Sequence, residues 1–245
     1  MNITKARRRF LLCGCSHGQL ASRSALNALL KFKADFRPHF TAHLGDFCDT
    51  TAWRSGARDS KDEGASVSDD LLTGLGFLEK LEPQAVFIGN HEARIYKHAE
   101  HPNAIVREAA RSTLSELRKA ITQELKAKFV ETYEVTKSWL EMGDTMIGHG
   151  FMFNENAIRD HAEFHGRNVI IAHLHRQGME RARASRGATG YCVGYLGNSE
   201  KFTYADTHKA KAKWTQGFAY GEFSESYTSV NLFTIQCQKR TFEAV

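Results

Sequence analysis

Phe10-Leu11-Leu12-Cys13-Gly14-Cys15-Ser16-His17 reads as a short buried strand running into a turn, with two metal-ligand residue types two positions apart just beyond it. The same arrangement recurs down the chain. Phe40 to Leu44 leads into Gly45-Asp46-Phe47-Cys48-Asp49, and Ala85 to Gly89 leads into Asn90-His91-Glu92. Ser138 to Glu141 and Thr145 to Gly148 form a hairpin around Gly143-Asp144 that ends in His149-Gly150, and Asn168 to Ala172 ends in His173-Leu174-His175. Helical spacing follows the first strand over Ser22 to Phe32 and the second over Leu71 to Leu81, where Pro83 stops it. Strands alternating with helices specify an α/β layered domain. The carboxyl ends of strands in such a domain converge on one crevice, which is where ligands bind.

Outward from this core, Thr51 to Asp70 is polar and rich in Gly and Ser, so a long loop is expected. Asn103 is placed to cap a long amphipathic helix over Ala104 to Phe129. That helical segment, 103–129, serves as a cap over the site, as a partner-binding helix or as a cover for one face of the sheet, and its amphipathy favours the cover. Three further strands are expected at Tyr191 to Leu196, Gly217 to Phe223 and Thr228 to Gln236. The result is βα units first and a strand-rich second half, as two packed sheets with helices outside.

The chain has 245 residues, 42% of them apolar, and only 3 prolines. It needs neither disulfide nor metal merely to bury a core. Its 5 cysteines include no C-x-x-C pair, which argues against a disulfide framework and a zinc ribbon. No apolar run approaches the ~20 residues of a membrane-spanning helix, and the basic start of the chain lacks a cleavage pattern, so a cytoplasmic protein is expected. Net charge is +5, from 33 basic and 28 acidic side chains. Arg-rich stretches stand at Lys5 to Arg9 and at Arg176, Arg181, Arg183 and Arg186, which suits a nucleotide or nucleic acid, although Arg181 to Arg186 reads better as a solvated loop. Trp214, Gly217, Phe218 and Tyr220 could stack on a base, but packing into the second sheet is the commoner fate of such residues.

Of the 12 histidines, five stand in the turns described above; His39, His43, His98, His101, His161, His165 and His208 are read as surface or satisfied core residues. In an extended C-x-H or H-x-H segment, side chains i and i+2 share a side and can grip one ion together. A divalent ion takes about four to six ligands, so several turns must contribute. Asp46 is the best candidate for a carboxylate bridging two ions, with Gly45 and Gly89 letting the backbone approach closely.

These five segments resemble, in order and spacing, the motifs of the calcineurin-like metallophosphoesterases: D-x-H, G-D-x-x-D, G-N-H-[DE], G-H and G-H-x-H. The layout is similar to that of compact bacterial and bacteriophage members. The resemblance implies a single metallophosphoesterase domain over 1–245, a four-layer α/β/β/α sandwich of two packed mixed sheets. It further implies two divalent transition-metal ions (Mn, Zn or Fe): Cys15, His17, Asp46 and His175 would hold the first, and Asp46, Asn90, His149 and His173 the second. His91 would act as general acid on the leaving oxygen, Asp49 would orient it, and a water between the ions would attack phosphorus. Arg94 is either a phosphate contact or an ordinary surface arginine.

Two positions depart from the family pattern. Ala172 stands where glycine is usual, which is tolerable at negative φ. Cys15 replaces the first aspartate. A thiolate keeps the single charge but favours zinc or iron over magnesium, so the reading is a Cys-ligated first ion, weighed against an inert buried cysteine. Cys13, Cys48, Cys192 and Cys237 are expected to be structural. The expected activity is hydrolysis of phosphate esters, diesters of nucleotides or nucleic acid before monoesters. The alternatives are a phosphomonoesterase or protein phosphatase, or a degenerate scaffold that binds a protein.

Overall fold

The computed structural model describes residues 7–60, 62–184, 187–206 and 209–235. Arg186, His208, Gln236 and Cys237 lie outside them. β1 (Arg8–Cys13) pairs in parallel with β2 (Phe40–His43), β2 with β3 (Ala85–Phe87) and β3 with β4 (Lys128–Val130). The second sheet is built from β5 (Trp139–Met142), β6 (Thr145–Gly148), β7 (Asn168–Ile171), β8 (Gln177–Arg181) and β9 (Thr189–Val193), in the order β5-β6-β7-β9-β8. β10 (Gly217–Ser224) and β11 (Tyr227–Thr234) return to the first sheet as an antiparallel ribbon, giving it the order β11-β10-β1-β2-β3-β4. Both sheets are mixed.

Strand alternation sorts the side chains into layers. In β1, Leu11 and Cys13 face the helices on the outer side, while Phe10 and Leu12 face the second sheet. In β7, Ile170 fills the space between the sheets, while Val169 and Ile171 pack with Ile158 and Ala162. Those last two residues belong to α5 (Ala157–His165). The first sheet is covered by α1 (Arg23–Phe36), α2 (Val67–Leu81), α3 (Ala93–His98) and α4 (Ala104–Arg118). This is the expected α/β/β/α sandwich.

Four expectations need correction. α2 starts at Val67, four residues before the first apolar position that suggested it, because Ser66 Oγ accepts from Asp69 N at 3.1 Å and caps a polar first turn. The loop therefore ends at Ser66, and Thr51–Trp53 within it forms a 3-10 turn. The helix expected to Phe129 stops at Arg118. Lys119–Glu124 winds as a π-helix, and Phe129 pairs with Val86 as part of β4. Backbone pairing with the open edge of β3 overrides the helical spacing of Leu125 and Phe129. Leu114, Leu117 and Ile121 still bury against the outer face of the first sheet, so this segment covers the sheet.

Arg181 is part of β8, an edge strand, where a loop was expected. Finally, Phe218 and Tyr220 pack against Phe32 of α1 on the first sheet, at 4.9 Å each, and not in the second sheet. Trp214 stands apart from them, edge-on to His175 at 4.5 Å. Among the described residues, no helix is long and apolar enough to cross a membrane.

Candidate metal centre

All five turns open on the same end of the two sheets, and the backbone there is unusual. Cys15, His17, Asp46, His173 and His175 have φ between 51° and 64°, in the left-handed region that side chains with a Cβ rarely adopt. Such residues cost about 1–3 kcal/mol each and persist only where their surroundings hold them. Here Cys15 N donates to Gly45 O at 2.9 Å, His17 N to Asp46 O at 3.0 Å and Gly18 N to Phe47 O at 2.9 Å, lacing the first turn to the second. Gly45 has φ of +100°, and a Cβ on Gly89 would lie 2.1 Å from Asp46 Oδ1. Ala172 is absent from the positive-φ residues, as its substitution for glycine requires.

Cys15, His17, Asp46 and His175, all buried, bring one donor atom each within 4.8 Å of one another, and Asp46, His149 and His173 do the same. Asn90 joins the second set: its Oδ1 is 3.1 Å from His149 Nε2 and 2.9 Å from His173 Nδ1. Asp46 belongs to both sets. The protons are placed so that lone pairs face inward. His149 Nδ1 lies 2.8 Å from Leu44 O and donates to it, which turns Nε2 toward Asp46 Oδ2 at 3.3 Å. His17 Nδ1 donates to Asp49 Oδ1 at 3.0 Å, so its Nε2 lone pair faces His175 Nε2 at 2.9 Å. Burial and then His17 hold His175 well below the ordinary histidine range, and burial and His149 lower His173 to about 3. Imidazole nitrogens, a carboxylate and an amide oxygen crowd together, each with an electron pair to offer. A cation satisfies that arrangement, so the residues fit the two-ion centre implied by their motifs.

His91 stands beside both sets. Its Nδ1 lies 2.7 Å from Asp49 O and 3.1 Å from Asp49 Oδ1, and its Nε2 is 3.9 Å from Asp46 Oδ2. Burial disfavours its charge, but the Asp46 and Asp49 carboxylates outweigh that and raise it to about 9. Burial pushes the Asp49 carboxyl up, yet the hydrogen bonds from His17 and His91 win and hold it well below the usual range. Arg94 donates from Nη1 to Asp49 O at 2.9 Å, so part of its guanidinium supports the backbone of that turn.

Asp49 does more than its motif position suggested. It orients His17 as well as His91 and also accepts from the Tyr204 hydroxyl at 3.2 Å and from Thr51 Oγ1. Tyr204 carried no signal in the sequence. Glu92 stood in the quoted G-N-H-E segment, and its role emerges only here. Fully buried, it accepts from Asp46 N at 3.0 Å, Gly89 N at 2.8 Å and Cys48 N at 2.8 Å, tying the second turn to the third. Glu92→Ala would orphan three buried N–H groups. We expect a loss of about 3 kcal/mol or more in chemical denaturation, with Glu92→Gln recovering part of it.

Most of the described histidines outside these sets have ordinary partners, whereas His165 Nε2 is buried without a hydrogen bond and its ring packs edge-on to Trp139 at 4.3 Å. His43 pairs with Ser16 Oγ at 3.1 Å, His161 Nε2 accepts from Phe151 N at 2.9 Å, and His39 Nδ1 accepts from Arg9 N at 3.0 Å. Cys13, Cys48 and Cys192 are free and buried.

Two sheets that bring two sets of candidate cation ligands around a shared carboxylate suit a metal-dependent hydrolase. The family model for calcineurin-like phosphoesterases matches residues 8–177, and the chain belongs to that family. It is a metal-dependent phosphoester hydrolase. Among solved structures it is similar to a metallophosphoesterase from Sphaerobacter thermophilus (16% identity, TM-score 0.51, 95% of this chain and 90% of that one). It is also similar to a hypothetical protein from Pyrococcus horikoshii OT3 (11% identity, TM-score 0.51, 95% and 89%). At these identities the likeness concerns the fold. No curated protein matches the chain.

Proposed function

We propose that this enzyme cleaves phosphodiesters of nucleotides or nucleic acid in the cytoplasm, in preference to monoesters, using two ions drawn from manganese, zinc and iron. The observation that carries the reading is Asp46, shared by both donor sets with the His91 ring at their edge. In this reading Cys15, His17, Asp46 and His175 hold one ion, and Asp46, Asn90, His149 and His173 the other. Two divalent ions, when bound, would supply Lewis acidity to the phosphoryl oxygens and a nucleophile at neutral pH.

The chain's own residues supply the rest. Asp49 fixes His91 by its Nδ1, so Nε2 is the atom that gives a proton to the leaving oxygen. The same carboxylate stabilises the imidazolium before transfer and keeps His17 aimed inward. Arg94 touches substrate with whatever the Asp49 carbonyl leaves free. The net charge of +5 suits a polyanion.

The test is turnover of bis(p-nitrophenyl) phosphate against p-nitrophenyl phosphate with added Mn²⁺. Faster diester cleavage is expected. Cleavage of the monoester alone would reject the diester preference, and turnover of neither by a metal-free protein would favour a protein-binding scaffold. Cys15→Asp should keep activity while shifting the preferred ion from zinc toward manganese or magnesium, read by metal content and by rates with each ion. An unchanged preference would show that the thiol is not a ligand.

A further inference from the structure

Beside His149 lies a cavity of about 130 Å³ that no step above uses. Its walls are the rings of Tyr133, Trp139 and Phe151, with Val135 at the mouth and His149 at its inner end. Tyr133 lies edge-on to His149 with centroids 5.8 Å apart, and Trp139 lies edge-on to Phe151 at 6.3 Å. One wall of the cavity is therefore a residue whose Nε2 faces Asp46 and Asn90.

The loop that shapes the cavity is held from within. Trp139 Nε1 donates to Val135 O at 2.7 Å, and the one carboxylate on the lining, Glu134, is paired with Lys137 at 2.9 Å. What remains toward solvent is mainly carbon, and Val135 is 42% exposed. A preformed pocket with aromatic walls, next to a cation-binding cluster, suits a flat apolar group joined to an anion. Size narrows the choice. An apolar cavity of about 150 Å³ takes one benzene ring, so this one has room for a single six-membered ring and not for a fused pair.

We infer that the cavity walled by Tyr133, Trp139 and Phe151 receives a single six-membered ring, aryl or pyrimidine, carried by the phosphate ester bound at His149. The inference rests on the proposed chemistry at the adjoining metal centre, since the phosphate is what brings the ring there.

Binding of non-hydrolysable phosphonates tests it without requiring turnover. With Mn²⁺ present, titration calorimetry should show phenylphosphonate binding roughly tenfold more tightly than methylphosphonate, the scale of one aromatic stacking contact. 1-Naphthylphosphonate should bind no more tightly than phenylphosphonate. In Phe151→Ala and in Tyr133→Leu the phenyl-to-methyl ratio should fall toward one, and the wild-type comparison carries the test if a variant fails to fold. Uridine and adenosine monophosphates then distinguish the sources of the ring: a pyrimidine preference supports a nucleotide, and equal binding with the phenyl preference intact supports an aryl ester. Equal affinity for phenyl and methyl phosphonates, or tightest binding of the naphthyl compound, would overturn the inference. A ring preference in a protein that turns over no ester would sink the hydrolytic reading alone; turnover without the preference would sink the pocket alone.

Discussion

Asp46→Asn is expected to lower kcat/KM by about 10³-fold or more and to reduce bound metal, measured on the same preparation by turnover and elemental analysis. Asp46 is the one carboxylate common to both donor sets, and its Oδ2 lies 3.3 Å from His149 Nε2 and 4.0 Å from His17 Nε2. Burial opposes its charge, but His149, His91 and His17 around it hold the carboxyl well below the usual range, so it stands ready as an anion. Asparagine keeps the size and an oxygen to accept from His91 N, now at 3.0 Å, and removes only the negative charge. Bound cations would then lack the shared carboxylate that offsets their mutual repulsion. Wild-type metal content and turnover in this variant would mean that Asp46 serves the turn alone.

The second large effect is at His91. His91→Ala should lower kcat by about 10²–10⁴-fold, the usual contribution of a positioned general acid, while metal content stays near wild type. His91 lies in a set with His17 and Asp49, outside the two sets assigned to the ions, and the backbone N–H that it gives to Asp46 survives the substitution. The loss should also depend on the leaving group. An alkoxide needs the proton and p-nitrophenolate hardly does, so the variant should lose more on alkyl diesters than on p-nitrophenyl ones. An equal loss on both would place His91 in phosphate binding.

Much of this centre was legible in the sequence because its chemistry forces residue types onto strand ends. Asp46, Asn90, His149, His173 and His175 each follow a short apolar run, and the structure draws them together from four turns. The framework was legible for the same reason: β1, β3 and β7 each carry three or four consecutive apolar residues, and β2 is short and mostly buried. Elements with weaker local signals escaped. α3 is six residues long, β4 is three, and β8 is an exposed edge whose residues alternate little. None of these has a pattern that declares itself without its neighbour. The bracing by Glu92 and the double duty of Asp49 escaped for another reason. Hydrogen bonds from Asp46 N, Cys48 N and Gly89 N to one carboxylate depend on how turns far apart in sequence meet, and side-chain type does not encode that meeting. The aromatic residues near the end of the chain divided between Phe32 and His175 because β10 joins the first sheet, a topological choice made by pairing.

The most direct test of a two-ion centre is a calorimetric titration of the metal-stripped protein with Mn²⁺ and, separately, Zn²⁺. Two equivalents are predicted to bind, falling to one when His149 and His173 are both replaced by alanine. Saturation at a single equivalent in the unmodified protein, or no binding at all, would contradict the account.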